Sequence, residues 1–164
     1  MESSKAMIFD LATEGLEPLK HRIVGVTIKT TNEEKIITNR DEKILLEEFY
    51  KFIEVNNFDK IVGFNSQSFD IPMLTIRSIK HKVTMPNLKG KLIDLRNALA
   101  GDKKGTLEDF QQLLGITFFD SRYKKMHMSL LWEADKLPKL EEFLLRDVKI
   151  TWQLYEHVKG AGLI

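Results

Sequence analysis

The chain has 164 residues, of which 43% are hydrophobic and 30% charged. That is the make-up of a globular protein in one domain over 1–164, large enough to bury a core without disulfides. It has no cysteine, which excludes thiolate metal sites, iron–sulfur clusters and thiol nucleophiles. Lys+Arg number 25 and Asp+Glu 24, which argues against a polybasic coat for DNA but permits a local groove holding one short strand.

The N-terminal residues are polar, with no signal-peptide pattern, and no apolar run approaches a membrane span. The expectation is a cytoplasmic protein without a membrane partner. In chain order, residues 5–11 form a short apolar run that ends at Thr13-Glu14-Gly15 and reads as a buried strand. Residues 22–30 are β-branched and alternating, a second strand, and residues 35–38 follow a polar turn as a third. Together they read as an antiparallel meander. Asp41 caps a helix reaching about Phe52, with Ile44, Leu45, Phe49 and Phe52 at helical spacing. Residues 60–64 are a fourth strand. Ser68 or Asp70 opens a helix with Pro72 in its first turn and Leu74, Ile76 and Ile79 following. Residues 91–95 are a fifth strand. Residues 106–114 form a helix with Thr106 and Asp109 as a capping pair and Gly115 as the stop. A long helix runs from about Lys139 to Val158, after Pro138. Strand–helix–strand order implies parallel crossovers. The fold class is α/β: a mixed five-stranded sheet, an antiparallel meander joined to parallel strands, flanked by helices.

Three carboxylates stand out. Asp10 lies at the end of the first strand, Asp70 in the first turn of a helix that follows the fourth strand, and Asp147 within the last helix beside Leu144, Leu145 and Val148. In open α/β sheets ligands gather beyond the C-terminal strand ends. Each Asp alone suits an ordinary capping role. Brought together they need a cation, because two carboxylates about 4 Å apart repel by roughly 4 kcal/mol at an effective dielectric of 20. Mg²⁺ or Mn²⁺ supplies that compensation.

The letters around these acids form an ordered set. Phe9-Asp10-Leu11 with Thr13 and Gly15-Leu16 resembles motif one, FD[IL]ETxGL, of the DnaQ-like 3′–5′ exonucleases. Residues 65–74, NSQSFDIPML, resemble motif two, NxxxFDxPxL, in the form typical of the proofreading domain of family B DNA polymerases and their stand-alone relatives. Phe143 and Asp147, with Val148, Thr151 and Leu154, resemble motif three, YxxxDVxxTxxL. Residues 106–115 resemble the family's SLxxLxxxLG helix. The resemblance spans most of the chain and implies a ribonuclease H-like fold that hydrolyses nucleic acid from a 3′ end with two divalent ions. It assigns metal binding to Asp10, Asp147 and Asp70, and substrate positioning to Asn65. It implies as partners a single-stranded DNA or RNA 3′ end and a polymerase or repair protein.

Two positions depart from the pattern. Ala12 stands where the family has a glutamate, on the same strand face as Asp10, so one of the two metal sites is weakened. Glu14 has the right parity but lies roughly 6–7 Å further along the strand. Phe143 replaces the family's tyrosine and keeps its bulk without its hydroxyl. An enzyme with a relaxed site, a variant silenced at position 12 and an inactive exonuclease fold retained for binding nucleic acid or protein all fit these letters. Substrate contacts are expected at Phe69, Arg122 and Lys124, since single-strand grooves pair cations with aromatic platforms, while the resemblance implies them at Asn65 and Thr13, which stand in the matching motifs. The bland reading of Arg122-Tyr123-Lys124-Lys125 and of Lys103-Lys104 is a solvated loop, and that of Phe64 is core. None of the four histidines has metal-ligand spacing.

Overall fold

The structure, a computed structural model, describes residues 4–100, 105–117 and 137–164. Strands β1 (Ala6–Thr13), β2 (Ile23–Thr30) and β3 (Glu34–Thr38) are followed by helix α1 (Glu42–Asn56) and strand β4 (Lys60–Gly63). Then come α2 (Asp70–His81), β5 (Leu92–Asp94), α3 (Leu95–Ala100), α4 (Leu107–Leu113) and α5 (Leu137–Gly160). The five strands make one sheet in the order β3-β2-β1-β4-β5. β1–β2 and β2–β3 pair antiparallel, while β1–β4 and β4–β5 pair parallel. The expected mixed sheet is therefore observed. Among the described residues no helix is long and apolar enough to cross a membrane.

Being central, β1 is buried on both faces, as near-continuous apolar strands of parallel sheets are. Met7, Phe9 and Leu11 join one core with Leu45, Leu46 and Phe49 of α1 and Met73 and Leu74 of α2. Ala6 and Ile8 face the opposite way, into a second core with Val148, Leu154 and Tyr155 of α5. Asp10 continues that second register, on the side covered by α5.

Several local expectations are corrected. β1 runs on to Thr13, so Asp10 is its fifth residue and not its last. Helix α3 was not expected, because the apolar run of residues 91–95 reads as strand. In fact Asp94 Oδ1 accepts from Arg96 N at 3.0 Å and turns the chain into a helix as soon as the strand ends. On α2, Ile79 is 72% exposed, and the buried face holds Arg77 and Ser78 instead. Those two reach the buried Glu42 and Tyr50. α5 begins at Leu137, which puts Pro138 inside the first turn, where a missing amide hydrogen is tolerated. The Thr106–Asp109 capping box forms as expected, and Gly115 ends α4 at φ +61°.

Candidate active site

The site starts where β1 outruns its neighbour. Parallel pairing of β1 with β4 stops at Ile8↔Val62, and β4 ends at Gly63. The turn there is tight: a Cβ on Gly63 would lie 2.6 Å from Ser66 Cβ. Beyond that point the open edge of β1 carries a buried amide that needs an acceptor. Asp70 supplies it. Its Oδ1 accepts from Leu11 N at 3.2 Å, and the residue is 3% exposed. α2 opens at Asp70, one of the two expected starts, and its N-cap Phe69 makes no side-chain cap bond. The Asp70 carboxylate thus reaches across the chain to β1.

Asp10, Asp70 and Asp147 line one cleft of about 930 Å³, together with Thr13, Asn65, Phe69 and Arg96. Residues from three distant stretches thus open onto a shared space. Asp10 and Asp147 are half-buried. The main chain at Asp10 is tied to β2 by Thr27 Oγ1, which donates to its carbonyl at 3.3 Å. Thr151, one turn after Asp147, donates to the Asp147 carbonyl at 2.7 Å. Thr13 Oγ1 donates to Gly15 O at 2.8 Å and shapes the exit from β1. Phe64 also lines the cleft and stands edge-on to Phe110 of α4, ring centroids 5.7 Å apart.

Asp94, at the end of β5, organises the loop that carries Asn65. It is 4% exposed and accepts from Asn65 N and Gln67 N, both at 2.9 Å. Asn65 sits in the left-handed region at φ +59°, a conformation that Asn tolerates better than most residues. Its Oδ1 accepts from Arg96 Nη1 at 2.9 Å. Sequence reasoning missed both Asp94 and Arg96. The signal for Asp94 was an acid closing an apolar strand; Arg96 gave none, because it rides on the unforeseen α3.

Ala12 is 1% exposed, pairs with Gly25 across the hairpin and does not line the cleft. Glu14 does line it, but its carboxylate is engaged: Arg22 Nε donates to Glu14 Oε1 at 2.6 Å. Among the described residues no group of three or more Asp, Glu or His is arranged to hold a metal ion. The donors opening onto the cleft are nevertheless carboxylates, the hard oxygen ligands that suit Mg²⁺ or Mn²⁺. By the chemistry of this donor set the residues fit a divalent ion. Arg122 and Lys124, like Lys103 and Lys104, lie outside the described residues, as does the side chain of Phe143.

A second acid, Glu42, anchors the far side of the hairpin. It accepts from Ile23 N at 2.7 Å, from Arg77 Nε at 2.8 Å, and pairs with His81 Nε2 at 2.7 Å. Burial works to raise the pKa of this carboxyl. Arg77, the Ile23 amide and His81 overcome it and hold the group below its ordinary value. Tyr50, buried against Ser78, is pushed up to about 12 by burial.

The comparisons agree with this architecture. The chain is 33% identical over 172 residues to an uncharacterised protein of Methanocaldococcus jannaschii, covering 96% of this chain and 97% of the relative. It is 24% identical over 171 residues to a DNA polymerase of Archaeoglobus fulgidus, covering 90% of this chain but only 22% of the polymerase. The family B DNA polymerase of Pyrobaculum calidifontis superposes with a TM-score of 0.84 at 23% identity, covering 95% of this chain and 24% of the polymerase. That likeness shows that this chain shares its fold with part of that polymerase. Residues 18–131 match the family described as predicted 3′–5′ exonucleases related to the exonuclease domain of PolB, and the chain belongs to that family.

Proposed function

We propose that this chain is a 3′–5′ exonuclease that removes nucleotides from single-stranded DNA or RNA ends with divalent metal ions, and that Ala12 lowers its activity. The observation that carries the reading is the convergence of Asp10, Asp70 and Asp147 on one cleft with Asn65 and Phe69. In this reading Asp10 and Asp147 hold the cations, and Asp70 supports the site while fixing the edge of β1. Bound ions would activate a water and stabilise the leaving oxygen. The chain itself supplies the rest. Asn65 orients the strand end. Phe69, Thr13 and, from the loop outside the described residues, Arg122 and Lys124 hold the strand. Without a hydroxyl at Phe143 the water is less well oriented. A polymerase or repair protein as partner, and the cytoplasm as location, belong to this proposal too.

The test is degradation of a labelled single strand in Mn²⁺ by the chain and by a version carrying Ala12→Glu and Phe143→Tyr. The double substitution should raise the rate, with loss of label from the 3′ end. A folded double variant with no gain would refute the metal mechanism. One observation favours a second reading, a non-catalytic binding module: Glu14, the nearest substitute for the missing acid, is bound to Arg22. That reading requires strand or protein binding insensitive to chelator, and no turnover by either version.

A further inference from the structure

Arg96 is a cation inside an acidic cleft, and its contacts with the described residues use only part of its donor capacity. Nη1 donates to Asn65 Oδ1 at 2.9 Å and Nε donates to Gly105 O at 3.1 Å. A guanidinium has five N–H donors. Among the described residues no carboxylate pairs with it, and Nη2 has no protein acceptor. The first of these bonds also fixes Asn65. Arginine can only donate, so Asn65 must present its oxygen to Arg96, which leaves Nδ2 as the outward end of the amide. Nδ2 makes no hydrogen bond to the described residues. Asn65 cannot easily turn away, because its main chain is held by Asp94 at 2.9 Å in the left-handed region.

We propose that Arg96 is a positioning and phosphate-binding residue: it locks the Asn65 amide, and Arg96 Nη2 and Asn65 Nδ2 together take the non-bridging oxygens of one phosphodiester of a strand lying in the cleft. Charge and geometry both favour an anion here. Guanidinium and phosphate match as forked donor and paired acceptor. Phosphate brings to Arg96 the negative charge that no described carboxylate gives it. The proposal rests on the nucleic-acid reading above and deepens it by naming the group that grips the backbone.

The test measures binding separately from turnover. Anisotropy of a short 5′-labelled oligothymidylate is titrated across a salt series, with Ca²⁺ present so that the acids do not repel the strand. Arg96→Met should weaken binding about tenfold, the loss of one charge-assisted contact. It should also reduce the slope of log affinity against log salt by about 0.7, the value for one phosphate contact on a single strand. Arg96→Lys should keep the wild-type slope while losing part of the affinity, because it keeps the charge and loses the fork. Thermal unfolding of each variant is the folding control. Unchanged affinity and slope in folded Arg96→Met would overturn the proposal. Equal weakening by Lys and Met with an unchanged slope would overturn it too, leaving a structural tie. If the wild-type chain binds no strand at all, the nucleic-acid reading fails along with it. Binding that depends on Arg96 with no turnover even in the Ala12→Glu, Phe143→Tyr version refutes the nuclease reading and leaves this one standing.

Discussion

Leu11 gives its backbone N–H to Asp70 Oδ1 at 3.2 Å, joining the strand that carries Asp10 to the helix that follows the motif-two loop. The bond exists because β1 continues past the end of β4, and a buried amide at an open sheet edge must be satisfied. It also brings two of the three cleft aspartates to one place without any metal. Asp70→Ala should therefore cost about 1–3 kcal/mol, the penalty of an orphaned buried donor. Asp70→Asn keeps an acceptor at Oδ1 and should retain most of that stability while still impairing Mn²⁺-dependent chemistry. Urea unfolding of the two variants checks this; equal losses would show that the Leu11 bond carries no weight.

The Glu42 cluster predicts a pH dependence. Its carboxyl is held below the ordinary value in the folded chain, so its contribution to stability is full above the unfolded pKa. That contribution fades as pH falls through the lower folded value. Unfolding midpoints measured down an acid series should drop more steeply in the wild type than in Glu42→Gln. Parallel curves would show that Glu42 does not set the acid sensitivity of the fold.

Gly63 predicts a steric cost. A Cβ there meets Ser66 Cβ at 2.6 Å, so Gly63→Ala should lose about 1–3 kcal/mol by overpacking. Ser66→Gly in the same chain removes the clash. A double-mutant cycle should return favourable coupling between the two changes. Additive losses would place the strain elsewhere.

Glu14 is paired with Arg22 at a partly exposed position, where such pairs contribute about 0–1 kcal/mol. Glu14→Gln should change stability little and leave Mn²⁺ affinity unaltered, as isothermal titration would show. A marked loss of Mn²⁺ affinity would make Glu14 a metal ligand.

The sheet and most helices were legible because their periodicities were clean. β1 and β2 are rich in apolar and β-branched residues and buried along most of their length, and α1 and α4 carry caps in plain letters at Asp41 and Thr106. Helix α3 was hidden because Leu95 closes an apolar run that also reads as strand. The face of α2 was misjudged at Ile79, since buried Arg77 and Ser78 have partners on α1 that no single-helix pattern reveals. The acids of the cleft were legible through their motifs. The support beneath them was not: Asp94 and Arg96 act on Asn65 through contacts about 30 residues apart in sequence, and such contacts leave no local trace. Ala12 was visible as a departure from the motif, but the pairing of Glu14 with Arg22 was visible only in three dimensions.

If Asp10 and Asp147 hold divalent cations in the shared cleft, crystals soaked in Mn²⁺ should show anomalous peaks beside these two carboxylates, and the peaks should vanish in Asp10→Asn. Crystals with an intact, accessible cleft and no peak there, or a peak that persists unchanged in Asp10→Asn, would contradict that role for the two acids.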